Sequence, residues 1–528
     1  MTRSALGTSS PSSPTHSAAP KAPLLAMLLL CFGEMFSSMR LIVLLSLFVA
    51  CNERPDDYVF PAAESMPALV GPGGPAVSFG EDELFVGCAH LDAGPEDVHD
   101  VHNGVYPYRG YGWMPWARDI GFGGLSAFDL SDPCAPLLMG TTVAESMRET
   151  HTVAFQHLTG VHAGDWMVAT DVLGVQFWRV DTPENPQLAS RMELPGVTFI
   201  VGSYPRTVHS AWWQYPYLYV AAADNGLFVI DATDPMAPEL VDQVVLDPPL
   251  RAGFVYAVGT TLFLGGSEER EAVLLDISVP TEVQPIAGGR FDLLDGDGEQ
   301  HEAYSASLSG HHALFARTTG GAGVLVYDIA DRTNPTYVGD INHDGNGGYV
   351  FHDEGRYFIG ESNVARVIDA SDPSDLSVIA ELTMEGDLDT LMPYGNVALL
   401  SADEEAPDGE ATLVVPTSAE PDSTGPRVLH VDPADGAVDQ APTLRLGIGL
   451  SEFVEPTSAF AGSVRLYDED GRAVPGIAGA QESFVFYTPT EPLTGGTYTA
   501  EIVAGGVRDA NDNPVAETFS WSFTVRGE

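Results

Sequence analysis

The 528 residues carry 74 acidic against 23 basic side chains, a formal charge of −51, with 44% apolar residues, 55 Gly and 39 Pro. That surface repels nucleic acid and anionic lipid, which excludes a nucleic-acid partner, and the charge is otherwise accounted for by solubility or salty surroundings. The apolar share is enough for two or three domains, and the Gly and Pro content favours turn-rich β structure over helices.

Residues 1–20 are rich in Ser, Pro and Ala, and Lys21 is the only lysine. Two apolar runs, 24–32 and 41–50, are each too short to span a bilayer. From Met39, MRLIVLLSLFVAC reads as a signal peptide over 39–51: one basic residue, an apolar core, then small Ala50 ahead of Cys51. Its end resembles a bacterial lipoprotein box, although Phe48 and Val49 stand where Leu and a small residue are usual. The resemblance implies lipid on Cys51 and an exported chain anchored at the outer membrane or cell surface. Residues 1–38 then precede the real start, at Met35 or Met39. An ordinary cleaved signal and a single N-terminal anchor are the alternatives, and both also export the chain. Export makes a Cys88–Cys134 disulfide possible, while their expected places at distant strand ends favour two free thiols, and the pairing stays open.

Beyond residue 58 one sentence recurs, and LYVAAADNGLFVIDATDPMAPELVD (218–242) states it in full. An apolar strand, an Asp-Asn-Gly turn, a second apolar strand closed by Asp231 and a Pro-rich corner lead to an outer strand. Closing aspartates recur at 129, 181, 231, 276, 328 and 369, the spacing of four-stranded blades. A seventh unit ends at Pro416 without its outer strand, which SMPALVG (65–71) is expected to supply. DELFVG (82–87) reads as a strand of the first blade, interrupted afterwards by an insertion at 90–122. The expectation is a seven-bladed β-propeller over 58–418. Its D-x-x-D-P-x-x-P pattern resembles the LVIVD repeat of exported bacterial and archaeal proteins, which implies a surface or periplasmic propeller and no shared catalytic motif. The recurrent aspartates are read as turn caps.

TSAEPDSTGP (417–426) reads as a polar linker. After it, 426–528 alternates strands and turns as a small sandwich. L-S-E-x-V, L-x-x-G-x-Y-T and D-x-N-x-N-P there resemble a bacterial Ig-like domain of the surface-layer type, which implies a spacer or adhesion module. The fold class is all-β: a seven-bladed β-propeller followed by an Ig-like β-sandwich.

Chemistry is sought in what does not repeat. The insertion holds Tyr106, Tyr108, Tyr111, Trp113 and Trp116 with Arg109 and Arg118, a set able to stack on a sugar or peptide; a packed lid over the channel is the alternative. His90, His99 and His102 have the donors for a transition metal. Aligned units place His151, His209, Tyr304 and Asp389 at the channel mouth. Acidic loops lie at 292–299 and 340–348. The second, with Asp340, Asn342, Asp344 and Asn346, matches the first half of a calcium loop, with Phe351 where a bidentate Glu is usual. The leading reading is a non-enzymatic envelope lipoprotein that binds a protein or glycan on a propeller face, with Ca²⁺ as its cofactor. The alternative is an exported metal-dependent hydrolase or lyase acting on polysaccharide.

Overall fold

Residues 217–244 show why each unit becomes a blade. Tyr217–Ala221 and Leu227–Asp231 are almost wholly apolar and pack against neighbours on both faces, whereas Glu239–Val244 faces outward and is mostly exposed. Gly226 turns the chain at φ +79°, and a Cβ there would meet the Val244 carbonyl oxygen at 2.2 Å. Asp231 then accepts the Thr233 amide at 2.9 Å, fixing the corner before the prolines. The same cap recurs from Asp129 to Ser131, Asp276 to Ser278, Asp328 to Ala330 and Asp369 to Ser371. Asp181 departs from the pattern, taking the Asp165 amide at 2.8 Å and pairing with Arg179. Six blades also carry a register shift between third and fourth strands at equivalent places, for example Val229/Ile230 and Val367/Ile368, which increases local twist.

The computed structural model describes residues 58–63, 71–92, 104–116, 122–144, 146–148, 150–200, 206–318, 321–402, 406–407 and 410–527. Seven consecutive sheets span 106–144, 153–193, 210–244, 252–292, 303–343, 350–382 and 388–416, and form the propeller. The last has three strands of its own, Leu388–Tyr394, Val397–Ala402 and Thr412–Pro416. Residues 85–91 run along its free edge: the Phe85 and Cys88 amides donate to the Pro416 and Val414 carbonyls, and Val414 returns a bond to Ala89. An N-terminal segment therefore closes the ring, as expected, but DELFVG supplies it. Of SMPALVG, residues 65–70 lie outside the described residues.

The first blade draws its inner strands from the presumed insertion, a second correction. Tyr106–Tyr108 and Tyr111–Trp116 pair as a hairpin across Arg109 and Gly110, both at positive φ (57° and 81°). Two such residues match the right-handed twist of flanking strands, so YPYRGYGWMPW is a β-hairpin and not a surface loop. That shift also overturns the expectation of free thiols. Cys88 and Cys134 are disulfide-bonded, their Cα atoms 5.2 Å apart. Cys88 lies on the closing edge of the seventh blade, next in the ring to the first blade's Asp-Pro corner, where Cys134 sits.

The Ig-like module is two packed sheets. Val428–Asp432, Leu446–Leu450, Phe484–Pro489 and Gly476–Gln481 form one; Val464–Tyr467, Gly496–Ile502 and Phe519–Val525 form the other. Between them lie Leu466, Tyr498, Trp521 and Phe523. The module is docked on the propeller, across the face that holds the Asp-Pro corners and first-to-second strand turns. Asp432 accepts the Thr260 amide at 2.7 Å, and Gly259 approaches so closely that a Cβ would meet the Asp432 carbonyl oxygen at 2.7 Å. Fully buried Arg445 donates to the Tyr219 hydroxyl (3.0 Å) and the Ile277 carbonyl (2.7 Å). Gln481 accepts the Trp213 amide, Glu455 the Arg109 amide, and Ser451 the Glu354 amide. Phe484 joins the propeller core beside Trp212 and Tyr256.

Two outcomes follow from this docking and closure. Calorimetry should record one unfolding transition for propeller and module together; Arg445→Ala strands two buried acceptors, should cost about 2–4 kcal/mol, and should lower that transition. Two resolved wild-type transitions would contradict a fused interface. Cys88→Ser should cost about 2–4 kcal/mol, the usual worth of a cross-link closing a loop of this length, read as a lower denaturation midpoint under non-reducing conditions.

Candidate functional site

The module closes one end of the channel, and its hairpin turn enters there. Gln481 pairs with Phe484 across Glu482 and Ser483, and Glu482 adopts φ +53°. Glu482 lines a cavity of about 60 Å³, with Tyr106, Tyr108, Phe155, Met392 and Tyr394 among its other walls. Burial pushes the Glu482 carboxyl up to about 8, against a hydrogen bond with Tyr256 that lowers it. Burial likewise holds the phenols of Tyr106, Tyr108 and Tyr394 above their usual range.

The aromatic set of the presumed insertion is built into this region. Tyr108 stacks on Phe155 with ring centres 4.5 Å apart and donates to Asp165 at 2.8 Å. Arg109 pairs with the same buried Asp165, which His157 also contacts at 2.7 Å. Tyr106 donates to the His151 carbonyl at 3.2 Å, and Trp116 to Ser126 at 3.0 Å. Trp113 is 1% exposed, and Tyr111 is half-buried. These side chains are blade and seam residues, because a hairpin at the centre of the ring points its aromatics into the core. Arg118, His99 and His102 lie outside the described residues, as does Cys51. His90 is exposed and its Nδ1 lies 2.7 Å from the Thr412 carbonyl oxygen.

At the opposite end two pairs form from the four channel-mouth residues. The His151 and His209 rings stack at 5.3 Å, with His151 Nδ1 3.0 Å from the Val208 carbonyl oxygen. The Tyr304 hydroxyl donates to Asp389 at 3.3 Å. Around them, acidic loops are tied to the few basic groups. His301 contacts Asp295 at 2.6 Å, and this bond, with the Glu299 and Asp297 amides, holds the Asp295 carboxyl below its usual range. Arg317 lies 3.0 Å from both His301 and Asp340, and Tyr337 donates to Asp340 at 2.6 Å.

Of the expected calcium-loop residues, Asp340 and Asn346 already have protein partners. Thr336–His343 is an extended outer strand. It carries Asp340 and Asn342, while Asp344 and Asn346 follow in the bend beyond its end. Asp340 is taken by Arg317 and Tyr337, and Asn346 accepts from Thr318. Among the described residues, one group of acidic, His or Cys side chains converges as a metal would require: Asp422, Glu452 and Asp509. Sequence reasoning missed it, as it missed Glu482 and Arg445, since each depends on how the two modules or separated loops meet. The one available signal was an acidic residue set among apolar strands, as in AGAQESFVFY.

Comparison with known proteins agrees with the architecture. Residues 212–245 match the LVIVD repeat and residues 422–525 match a bacterial Ig-like domain. The chain thus contains an LVIVD repeat and a bacterial Ig-like domain within an all-β propeller-plus-sandwich structure. No curated protein matches the sequence. Similar solved structures include a Lactobacillus plantarum protein (14% identity, 62% of this chain and 90% of that one, TM-score 0.46). PorZ, a surface component of the type-IX secretion system of Porphyromonas gingivalis, is 10% identical over 82% of this chain and 60% of its own, at TM-score 0.42. A periplasmic gluconolactonase of Pseudomonas aeruginosa is 9% identical over 53% and 84%, at TM-score 0.43.

The Glu482 site makes a pH-dependent prediction. Its folded carboxyl keeps a proton up to about pH 8, while the unfolded one releases it near its ordinary 4.5. The folded state binds more protons across that interval, so this contribution to stability falls as pH rises. Denaturation should place Glu482→Gln level with wild type at pH 5 and above it at pH 8; parallel pH profiles would refute the assignment.

Proposed function

We propose that this chain is an exported, envelope-anchored binding protein that presents the propeller face opposite the Ig-like module to a glycan or protein. The observation that carries this is the docking of the module across the Asp-Pro face, through Arg445, Asp432 and Gln481. That leaves the other face for a ligand, with the half-buried Tyr304 and the buried His151, His209 and Asp389 at its channel mouth. Stacked imidazoles and a phenol beside a carboxylate are groups that hydrogen-bond hydroxyl and amide groups. Export is supported by the signal-like 39–51 stretch and by the Cys88–Cys134 disulfide, a bond that persists in oxidising compartments. Cys51 would bear the lipid, and the module would brace the scaffold rather than act as a free spacer.

One set of measurements tests both parts. Expressed in a bacterial host, the wild-type chain should fractionate with membranes and incorporate labelled palmitate, and Cys51→Ser should abolish both. Captured on arrays of envelope polysaccharides and in pull-downs of envelope proteins, wild type should retain a ligand that His209→Ala/Tyr304→Phe binds at least tenfold more weakly. Equal capture by both proteins would reject the face; palmitate on Cys51→Ser would reject the anchor.

A further inference from the structure

Three separated stretches meet where the last propeller strand hands the chain to the Ig-like module. Asp422 lies between Thr412–Pro416 and Val428–Asp432, Glu452 stands two residues after Leu446–Leu450, and Asp509 opens the turn DANDNP (509–514). Their carboxylate oxygens come within 4.8 Å of one another. Glu452 and Asp509 are each 2% exposed, and Asp422 is half-buried. Glu452 Oε1 is buried without a hydrogen-bond partner, a costly state for a carboxylate that lies beside two others.

The surroundings deepen the imbalance. The charged groups that act most on Glu452 are Asp353, Asp509, Asp422 and Glu354, all carboxylates. The nearby guanidiniums are engaged elsewhere: Arg356 with Asp353 at 3.2 Å, Arg427 with Glu354 at 3.7 Å and Arg508 with Asp512 at 3.0 Å. The cluster is also held in shape. Asn513 donates its backbone amide to one Asp509 oxygen (2.8 Å), and its side-chain amide to the other (2.8 Å) and to the Asp422 carbonyl (3.1 Å). Thr424 donates to Asp422 Oδ1 through both its amide and its hydroxyl, at 3.0 Å each, and the Asp422 carboxylate is also within hydrogen-bonding reach of that of Asp509.

We propose that Asp422, Glu452 and Asp509 bind a calcium ion that fastens the segment joining the propeller to its docked module. The donors are all hard oxygens, with no imidazole or thiolate, which selects calcium or magnesium over zinc or copper. Irregular loop donors tolerate calcium's flexible coordination of six to eight oxygens at 2.3–2.6 Å better than magnesium's strict octahedron.

The test uses the full chain after EGTA treatment. Calorimetric titration with CaCl₂ should show saturable binding, and calcium should raise the unfolding temperature by several degrees. Glu452→Gln keeps the shape and removes the charge; it should weaken calcium binding at least tenfold and remove the thermal shift. Asp422→Asn, at the accessible rim, reads the same effect should Glu452→Gln fold poorly. Asp340→Ala/Asp344→Ala should respond like wild type. The proposal is overturned by a wild-type chain indifferent to calcium, by an undiminished response in both single variants, or by loss of the response in the double variant. An equal response to magnesium would overturn the assignment to calcium.

Discussion

A ring of sheets is stable only when its last edge is paired, because an open edge exposes a row of unsatisfied amides and carbonyls. Here residues 85–91 provide that pairing against Thr412–Pro416, and the Cys88–Cys134 disulfide joins the pairing strand to the neighbouring blade. Every contact round the channel depends on this closure. Tyr108 can reach Asp165, and Tyr304 can reach Asp389, only while seven blades keep their angular spacing.

The docked Ig-like module adds a second constraint of a different kind. It does not repeat, yet it must meet a face built from repeats, and it does so through single, specific residues. Arg445, Asp432 and Gln481 each satisfy buried groups of a different blade or strand. The seam then encloses acidic side chains, Glu482 in the channel and Glu452 beside the joining segment, that water would otherwise solvate. Burying carboxylates is tolerated when they are protonated, paired or bound to a cation, so the seam is where the chemistry of this acidic chain is least ordinary.

Much of the fold was legible. The strands of 218–242, their Asp-Asn-Gly turn and the capping role of Asp231 stand in the structure as periodicity and turn chemistry imply. The first blade was misread because DELFVG looks like its neighbours' strands, and a hairpin with Arg at a positive-φ position hides its turn signal. The four channel-mouth residues were placed by aligning repeats, and two pairs among them do form. The acidic motif at 340–346 was a local match that straddles the end of an outer strand, with Asp340 taken by Arg317 and Tyr337.

Sequence by itself determined the strand order within the second to sixth blades, five of the six corner caps and the two module types, because those depend on neighbours a few residues apart. Tertiary structure alone decided which segment shuts the ring, that Cys88 meets Cys134, that the module is docked rather than tethered, and that Asp422, Glu452 and Asp509 converge. Those outcomes depend on groups tens to hundreds of residues apart, whose meeting is set by how blades and sheets pack and leaves no local periodicity to read.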